Sequence, residues 1–352
     1  MDHIQEEHAD KDESSCCSLM EEPADEMEAL DPKGDVVLVV GRRHLLVSSR
    51  VLELSCPFFR KMLQSNAFME GANQPNAERP PIKQLQEDHP DIFYLICVVL
   101  HYRPAHPPDS IDDYRTLADL CNFYGCSRAL SFHVRAWTDA LELSSLTVDA
   151  LQSLLWVAFV FHLRNLFQRV SLYLAETLTT GTWKLWDVHP MPARLKDDVK
   201  ELCENVKNTV QQRIERMIDD AGANTERHVG KRDKICSQCF SNKPLETKKC
   251  GYCGSNDFRD YLCTKEARLS LFKEWLQSQG YWPLSRLNGR SCRSFLGSMP
   301  SPAGTRTPCG FDDSCPLAGA KERLIASLRI SHSDCMGLEL EDYDPGDLPE
   351  MS

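Results

Sequence analysis

The residues GDVVLVVGRRHLLVSSRVLELSCPFFRKML, numbered 34–63, determine how the first part of the chain folds. Two runs rich in β-branched residues, 35–41 and 42–48, are joined around a glycine and predict a β-hairpin. Residues 49–64 carry apolar side chains at helical spacing, but Cys56-Pro57 interrupts them, because proline cannot continue a helix through its interior. The stretch therefore predicts a hairpin followed directly by two short helices.

The residues that follow predict one more strand and three more helices. Residues 81–86 predict a short strand, and the nearly all-apolar run 92–102 follows a proline-containing start signal and predicts a buried helix. Residues 111–125 and 127–141 carry apolar side chains at helical spacing and predict two amphipathic helices. Together these elements predict one unit over residues 34–141.

This order of elements resembles the BTB/POZ domain, in the divergent form that is common in filamentous fungi. The matching positions are Gly34-Asp35-Val36, LLVSSRVLELSCPFFRKML, Phe68, Glu70, Ile82, Leu85 and LADLCNFYG. The resemblance covers roughly a third of the chain. It implies an α+β fold of short strands plus a five-helix cluster. It also implies protein binding, either as a homodimer or by recruiting a partner such as a cullin-type ubiquitin ligase.

The match departs from the family at one informative place. Many members have His-Lys or His-Arg where this chain has Ser48-Ser49, and the basic residue forms a charged pocket with the strand-opening aspartate. In this chain that aspartate is Asp35, and Arg50 is the one nearby substitute for its basic partner. The resemblance thus offers Asp35, Ser49, Arg50 and Phe68 as candidate partner-binding residues. The alternative is that Asp35 only caps or orients the first strand.

Residues 146–220 predict an all-α helical region. The apolar run 154–161 is too short to cross a bilayer, which takes about 20 residues, so it predicts a core helix. Residues 195–220 form a single apolar stripe at steps of three and four. This stripe needs a partner, which is either the preceding helices or a second chain in a coiled coil.

Four cysteines between residues 221 and 287 have the spacing of a zinc-ribbon or zinc-finger-like module. Cys236-x2-Cys239 and Cys250-x2-Cys253 each direct two thiolates to one point, and four thiolates close a tetrahedral zinc shell. Such a site has no open position, so the sequence predicts a structural zinc ion rather than a catalytic one.

A second metal-binding set is predicted in residues 288–338. It consists of Cys309, Cys315, His332 and Cys335, and Cys263 or Cys292 could replace any of them. Between the two sets, residues 269–287 hold enough apolar area for a small core or a docking surface.

Basic residues around the first cysteine set admit a further interpretation. Lysines and an arginine surround the cysteine pairs, and Tyr252 and Phe258 could stack on bases, so the module could contact nucleic acid. The alternative is that the basic residues offset the charge of a zinc–thiolate centre.

The charge distribution predicts acidic, disordered tails at residues 1–33 and 339–352. Residues 1–34 hold 12 acidic and 2 basic side chains, and residues 339–352 hold 6 acidic and none basic. The N-terminal residues have neither a secretory nor a transit signal, so we expect a protein of the nucleus or cytoplasm with reduced thiols. No membrane or small-molecule partner is expected.

No enzymatic activity is expected either. The sequence lacks a phosphate-binding glycine loop, a nucleophile elbow and an HExxH helix. Cys121 and Cys126 could form a nucleophile pair, but their apolar neighbours predict burial. The sequence therefore predicts a non-catalytic interaction protein, with a cullin adaptor or a nuclear nucleic-acid-binding factor as alternatives.

Overall fold

The computed structural model describes residues 27–63, 80–85, 89–179, 191–223, 233–236, 238, 248–261, 265–298 and 320–343. The chain divides into two compact units, residues 1–104 and residues 105–352. The division falls inside the segment 34–141, for which the sequence predicts a single domain. Both helices and strands are present, so the prediction of an α+β fold is confirmed.

The first unit combines a four-stranded sheet with three helices. Its elements are β1 (Met27–Ala29), β2 (Val36–Val40), β3 (Arg43–Val47), α1 (Ser49–Ser55), α2 (Pro57–Leu63), β4 (Ile82–Leu85) and α3 (Pro90–Leu100). The strand order is β1-β3-β2-β4. Strands β2 and β3 pair antiparallel, whereas β1 is parallel to β3 and β4 is parallel to β2. The predicted hairpin and the helix break at Pro57 are therefore confirmed.

The core of the first unit follows from two apolar runs. Four of the five residues of β2 are buried, and most of α3 is buried as well, as its nearly continuous apolar sequence predicts. Helix α3 lies near both α1 and β3, and the rings of Phe59 and Phe93 stand 6.2 Å apart between α2 and α3. Burying side chains of this size contributes about 1.5–3 kcal/mol each.

Strand β1 differs from the prediction of a disordered tail over residues 1–33. The backbone N–H groups of Leu30 and Asp31 donate to the carbonyl of Leu46, and Leu30 itself is buried. Arg43 lies between the carboxylates of Glu28 and Asp91 and forms ion pairs with both. Composition did not predict this strand. Its glutamate forms an ion pair, and the segment is anchored by one buried apolar residue, Leu30, which follows the strand.

The second unit is mainly helical. Its elements are α4 (Ile111–Tyr124), α5 (Ser127–Asp139), α6 (Val148–Val160), α7 (Arg164–Thr177), α8 (Ala193–Ala223), β5 (Asp233–Cys236), β6 (Phe258–Tyr261), α9 (Lys265–Ser278), α10 (Cys292–Gly297) and α11 (Ala320–Asp334). Helix α4 begins with a capping box between Ser110 and Asp113. Cys121 and Cys126 are buried, as their apolar neighbours predict.

Helix α6 is the central helix of the second unit. Residues 151–160 are all buried, and the helix packs between α4 and α7. The indole Nε1 of Trp156 donates to Asp119 Oδ1 at 2.7 Å, which satisfies the one polar atom of this large buried side chain. Within the described residues, no helix has both the length and the apolar character needed to cross a membrane.

The apolar stripe of α8 is covered by helices of the same chain. It packs against α7 on one side and against α9 and α11 on others. Residues 269–287 therefore belong to a core that they share with α8, and they do not form a separate module. This shared core consists of Val210, Ile214, Met217, Ile218, Phe272, Trp275, Leu276, Tyr281, Phe295, Ala320, Leu324 and Leu328.

The last described residues also differ from the prediction of a disordered tail. Residues 340–342 form a short 3-10 helix, and Leu340 and Tyr343 are buried. Disorder was predicted from the six acidic residues of the segment 339–352, and that composition did not indicate that Leu340 and Tyr343 are buried anchors.

Candidate metal centre

The two-stranded ribbon of β5 and β6 positions the first cysteine set. The strands pair antiparallel with Cys236 opposite Phe258, so Cys236 lies at the end of β5 nearest the loop. In that loop the N–H of Cys250 donates to the carbonyl of Ser255, and the N–H of Gly254 donates to the carbonyl of Cys250, both at 2.8 Å. Gly254 has φ +72°, a left-handed conformation that a residue with a Cβ adopts only with strain. This tight turn holds Cys250 and Cys253 on the same side.

Three thiols meet at this turn and could hold a metal ion. The Sγ atoms of Cys236, Cys250 and Cys253 all lie within 4.8 Å of one another, and those of Cys236 and Cys253 are 3.4 Å apart. Sulfurs at about 2.3 Å from a tetrahedral zinc ion are separated by about 3.8 Å. The donor set and its spacing therefore fit tetrahedral thiolate coordination. Cys239, the fourth predicted ligand, lies outside the described residues.

The three thiols differ in their exposure to solvent, and two basic residues lie beside them. Cys236 and Cys250 are buried, whereas Cys253 is exposed. Lys248 and Lys249 are exposed immediately before the turn, where their positive charges would offset thiolates bound to a metal ion.

The second predicted metal set is not assembled in the described part of the chain. Cys309 and Cys315 lie outside the described residues, and so does the side chain of His332, which belongs to α11. Cys335 follows the end of α11. Among the residues that are described, no second group of three metal-ligating side chains comes as close together as the first. The second site stays a prediction.

Cys292, which the sequence offered as a replacement ligand in the second set, lies within electrostatic reach of Cys335 and also of Cys203, a cysteine outside that set. Burial raises the pKa of Cys292 to about 12, and the charges of Cys203, Glu176 and Cys335 also act to raise it. Burial also raises the pKa of the Cys203 thiol. The sequence did not connect Cys203 with Cys292, because α8 and α10 bring these two residues together only through tertiary packing.

The candidate partner-binding residues of the first unit occupy different environments. Asp35 accepts two hydrogen bonds from Ser49, one from the backbone N–H and one from the hydroxyl, both at 2.7 Å. Ser49 is buried. Arg50 points elsewhere, with its guanidinium 3.7 Å from the carboxylate of Glu53, and Phe68 lies outside the described residues. The structure thus brings Asp35 and Ser49 together at the start of α1, but not Asp35 and Arg50.

We expect the Asp35→Ala variant to lose about 1.5–3 kcal/mol of unfolding free energy, because two hydrogen bonds to a charged group disappear and Ser49 stays buried. Chemical denaturation followed by circular dichroism measures the loss. The matched control is Arg50→Ala, which removes an exposed ion pair and should change stability by less than about 1 kcal/mol. Equal stability of the two variants would refute the capping role of Asp35.

His101 caps the same helix start from α3. Its Nε2 accepts the N–H of Ser48 at 3.1 Å, and its Nδ1 lies 2.8 Å from the carbonyl of Cys97. These partners require a neutral ring with the proton on Nδ1, because a protonated Nε2 cannot accept a hydrogen bond. Burial lowers the pKa of His101 below its usual range, partly opposed by the hydrogen bond to Cys97.

The lowered pKa of His101 predicts a loss of stability in acid. The neutral ring stabilises the folded chain fully above the unfolded-state pKa of about 6.5, and this contribution is lost as the pH falls through the lower folded-state pKa. The His101→Gln variant should therefore lose less unfolding free energy than the wild type between about pH 8 and pH 5. Denaturation curves at both pH values test this, and parallel losses would contradict it.

The sequence predicted Tyr102 as the last residue of the buried helix 92–102, and this prediction is wrong, because α3 ends at Leu100 and Tyr102 lies on the surface. It is 93% exposed and has φ +54°. The N–H groups of Tyr102 and Arg103 donate to the carbonyls of Val99 and Val98, which is the Schellman arrangement that ends a helix. Glycine is the usual residue in this left-handed position, so no sequence signal marked it.

Similarity to known proteins adds no family assignment to these features. No protein-family model matches the chain, and no curated protein sequence matches it either.

Proposed function

We propose that this chain is a non-catalytic protein-interaction protein. In this proposal its N-terminal unit is a BTB/POZ-like domain that binds a second copy or another protein, and its ribbon binds one structural zinc ion. The BTB/POZ assignment is supported by the hairpin of β2 and β3, the two helices that follow it, and the parallel pairing of β4 with β2. The zinc ion is supported by the three clustered thiols.

The observation that carries the interaction function is the exposure of apolar side chains on the first unit. Met27 and Ile82 are exposed on β1 and β4, which form the two edges of the described sheet. Leu54 of α1 is exposed as well. Edge strands present backbone groups that can pair with another chain, and exposed apolar groups favour protein contacts.

Tyr102 adds an aromatic residue to these exposed side chains. A non-glycine residue in the left-handed conformation costs roughly 1 kcal/mol, and this tyrosine buries little of its surface in return. Tyrosine is one of the residue types that contribute most to protein–protein binding. A tyrosine at a position that favours glycine, fully accessible to a partner, therefore supports a role in binding.

Two of the described thiols, Cys203 and Cys292, are in environments that do not favour thiol catalysis. Burial raises the pKa of both Cys203 and Cys292. A thiol with a raised pKa stays protonated at neutral pH and is a poor nucleophile.

The test of the interaction function compares two substitutions at equivalent backbone positions. His162 also has a left-handed backbone at the end of a helix, with φ +53°, and the N–H of Leu163 donates to the carbonyl of Ala158. Tyr102→Gly and His162→Gly should each stabilise the fold by roughly 1 kcal/mol, because glycine relieves the same strain. Only Tyr102→Gly should weaken partner binding.

Partner binding is measured by affinity purification of the tagged full-length chain, followed by mass spectrometry, and by sedimentation velocity for self-association. The proposal predicts a protein, either a second copy or another chain such as a cullin, that binds the wild type and the His162→Gly variant but is depleted with Tyr102→Gly. A chain that stays monomeric and retains no protein selectively would contradict it.

Nucleic-acid binding by the ribbon is the second candidate function. It is favoured by Tyr252, which is 74% exposed at the turn next to the exposed Lys248 and Lys249. Stacking of one base on an aromatic ring is worth about 1–3 kcal/mol. Fluorescence anisotropy with single-stranded RNA should show binding that Tyr252→Ala weakens and that falls with salt. Absence of binding by the wild type would remove this candidate.

A further inference from the structure

The C-terminal residues 336–343, which we name the strap, lie against α7 and α8. The N–H of Leu338 donates to the hydroxyl of Ser171 at 2.9 Å, and the side-chain amide of Gln168 donates to Glu339 at 2.6 Å. A Cβ on Gly337 would stand 1.9 Å from the carbonyl oxygen of Gln168, so only glycine permits this approach. The strap therefore binds α7 through specific polar contacts, as a peptide ligand does.

Two apolar side chains anchor the strap. Leu340 and Tyr343 are both buried, and the ring of Tyr343 lies 5.7 Å from the ring of Phe167 on α7. The hydroxyl of Tyr343 donates to Asp198 Oδ2 at 2.7 Å. The groove between α7 and α8 thus accepts an aromatic side chain and recognises its hydroxyl group.

The charges of the groove complement those of the strap. Arg164 at the start of α7 forms an ion pair with Glu341. Arg194 at the start of α8 donates to the carbonyl of Asp342 at 3.2 Å, and its guanidinium lies 5.8 Å from the centre of the Tyr343 ring. Arginines at both helix starts face a segment in which three of five residues, 339–343, are acidic. Arg164 therefore recognises an acidic side chain, and Arg194 recognises the main chain and the aromatic ring that follow it.

We propose that the groove between α7 and α8 is a binding site for acidic peptides, which the strap occupies within its own chain. The partner is a protein segment with the chemistry of Leu340-Glu341-Asp342-Tyr343, namely an apolar residue, two acidic residues and an aromatic residue. Such a segment binds by displacing the strap. This site shares no residue with the metal centre or with the first unit, so it goes beyond the proposed function and is tested independently.

The contacts of the strap with α7 and α8 are few enough that a second peptide can displace it from the groove. The strap has two buried side chains, and its exposed Arg164–Glu341 ion pair contributes to specificity for an acidic residue more than to binding energy. It is retained because its direct covalent attachment to α11 makes its binding intramolecular and so gives it a high effective concentration. A free peptide must compete with that concentration, so its apparent affinity for the unaltered chain is low.

The first experiment releases the strap in the full-length chain. The double variant Leu340→Asp/Tyr343→Ala removes both anchors, and a fluorescent peptide with the sequence of residues 336–346 is the probe. We expect this variant to bind the peptide at least about tenfold more tightly than the unaltered chain. Adding Arg194→Glu should abolish the gain, and a peptide of the same composition in scrambled order should not bind.

A second measurement needs no altered chain. Millimolar peptide should accelerate hydrogen exchange of the Leu338 amide in the unaltered protein, because the peptide displaces the strap from Ser171. Unchanged Leu338 exchange, or equal peptide binding by the released and unaltered chains, would overturn the proposal. A dimer that forms by exchange of straps between copies would also overturn it, because it would assign the groove to a second copy.

Discussion

The Cys250→Ser variant should lose its zinc ion, and the ribbon of β5 and β6 should unfold while the helices of the second unit stay folded. The ribbon has two strands of four residues each, and an isolated two-stranded hairpin is marginally stable in water. Cys236 and Cys250 are buried at the point where the strands meet the loop. A metal ion bound by these thiolates would hold that point together.

The expected effect is large because metal binding and folding are coupled at such sites. Apparent binding free energies of structural zinc sites are about 10–16 kcal/mol at neutral pH, and a chain that lacks one thiolate cannot complete the four-ligand shell that supplies this energy. The effect should be local, because α9 packs against α8 through a core that contains no cysteine of this set.

Hydrogen exchange over residues 233–261, with and without chelator, measures the loss. The wild type in chelator and the Cys250→Ser variant should show the same unprotected β5 and β6 amides. The matched control is Cys335→Ser, which removes a thiol outside the ribbon and should leave this protection intact. Protected β5 and β6 amides in the Cys250→Ser variant would contradict the metal-dependent fold.

The second large effect is expected from Phe272→Ala, which should cost about 3–5 kcal/mol of unfolding free energy. Phe272 is 0% exposed, and its ring stacks on that of Trp275 at 5.7 Å. The side chain belongs to the core shared by α8, α9 and α11, so the cavity left behind would reduce contacts in all three helices.

The matched control for this substitution is Phe132→Ala on α5. Phe132 is 75% exposed, and surface substitutions of this kind usually change stability by less than about 0.5 kcal/mol. Guanidinium denaturation followed by circular dichroism measures both variants. A cost below about 1 kcal/mol for Phe272→Ala, or a separate transition for α9, would contradict a core shared with α8.

The elements that the sequence predicted are those in which local pattern and tertiary burial agree. The valine-rich run of β2 and the apolar run of β3 form a hairpin, and Pro57 separates α1 from α2 because a proline lacks the N–H that a continuing helix needs. The apolar stripe of α8 predicted its buried face, apart from Leu202, which is half-buried. It did not predict which helices cover that face, because periodicity identifies a face but not its partner.

The elements that the sequence missed owe their structure to distant residues. Strand β1 forms because Arg43 binds Glu28 and because Leu46 accepts its backbone hydrogen bonds. The strap is placed by Ser171 and Gln168, more than 160 residues earlier in the chain. Both segments have the acidic composition of disordered tails, and composition does not reveal a few well-placed anchors.

The candidate metal centre was predicted from spacing alone, because two C-x2-C pairs impose the same local turn wherever they occur. The same reasoning could not find the proximity of Cys292 to Cys203, because α10 and α8 are adjacent only in the folded chain. It also placed Tyr102 inside the buried helix 92–102, because nothing in the sequence indicates that this tyrosine adopts the left-handed conformation that ends α3.

The metal content of the purified full-length chain, determined by elemental analysis, tests the central claim most directly. The wild type and the Cys236→Ser and Cys309→Ser variants are prepared without chelator. We predict at least one zinc ion per chain in the wild type and one fewer in Cys236→Ser, while Cys309→Ser retains the zinc ion of the ribbon. A folded wild type without zinc, or a Cys236→Ser variant with as much zinc as the wild type, would contradict a zinc-stabilised ribbon.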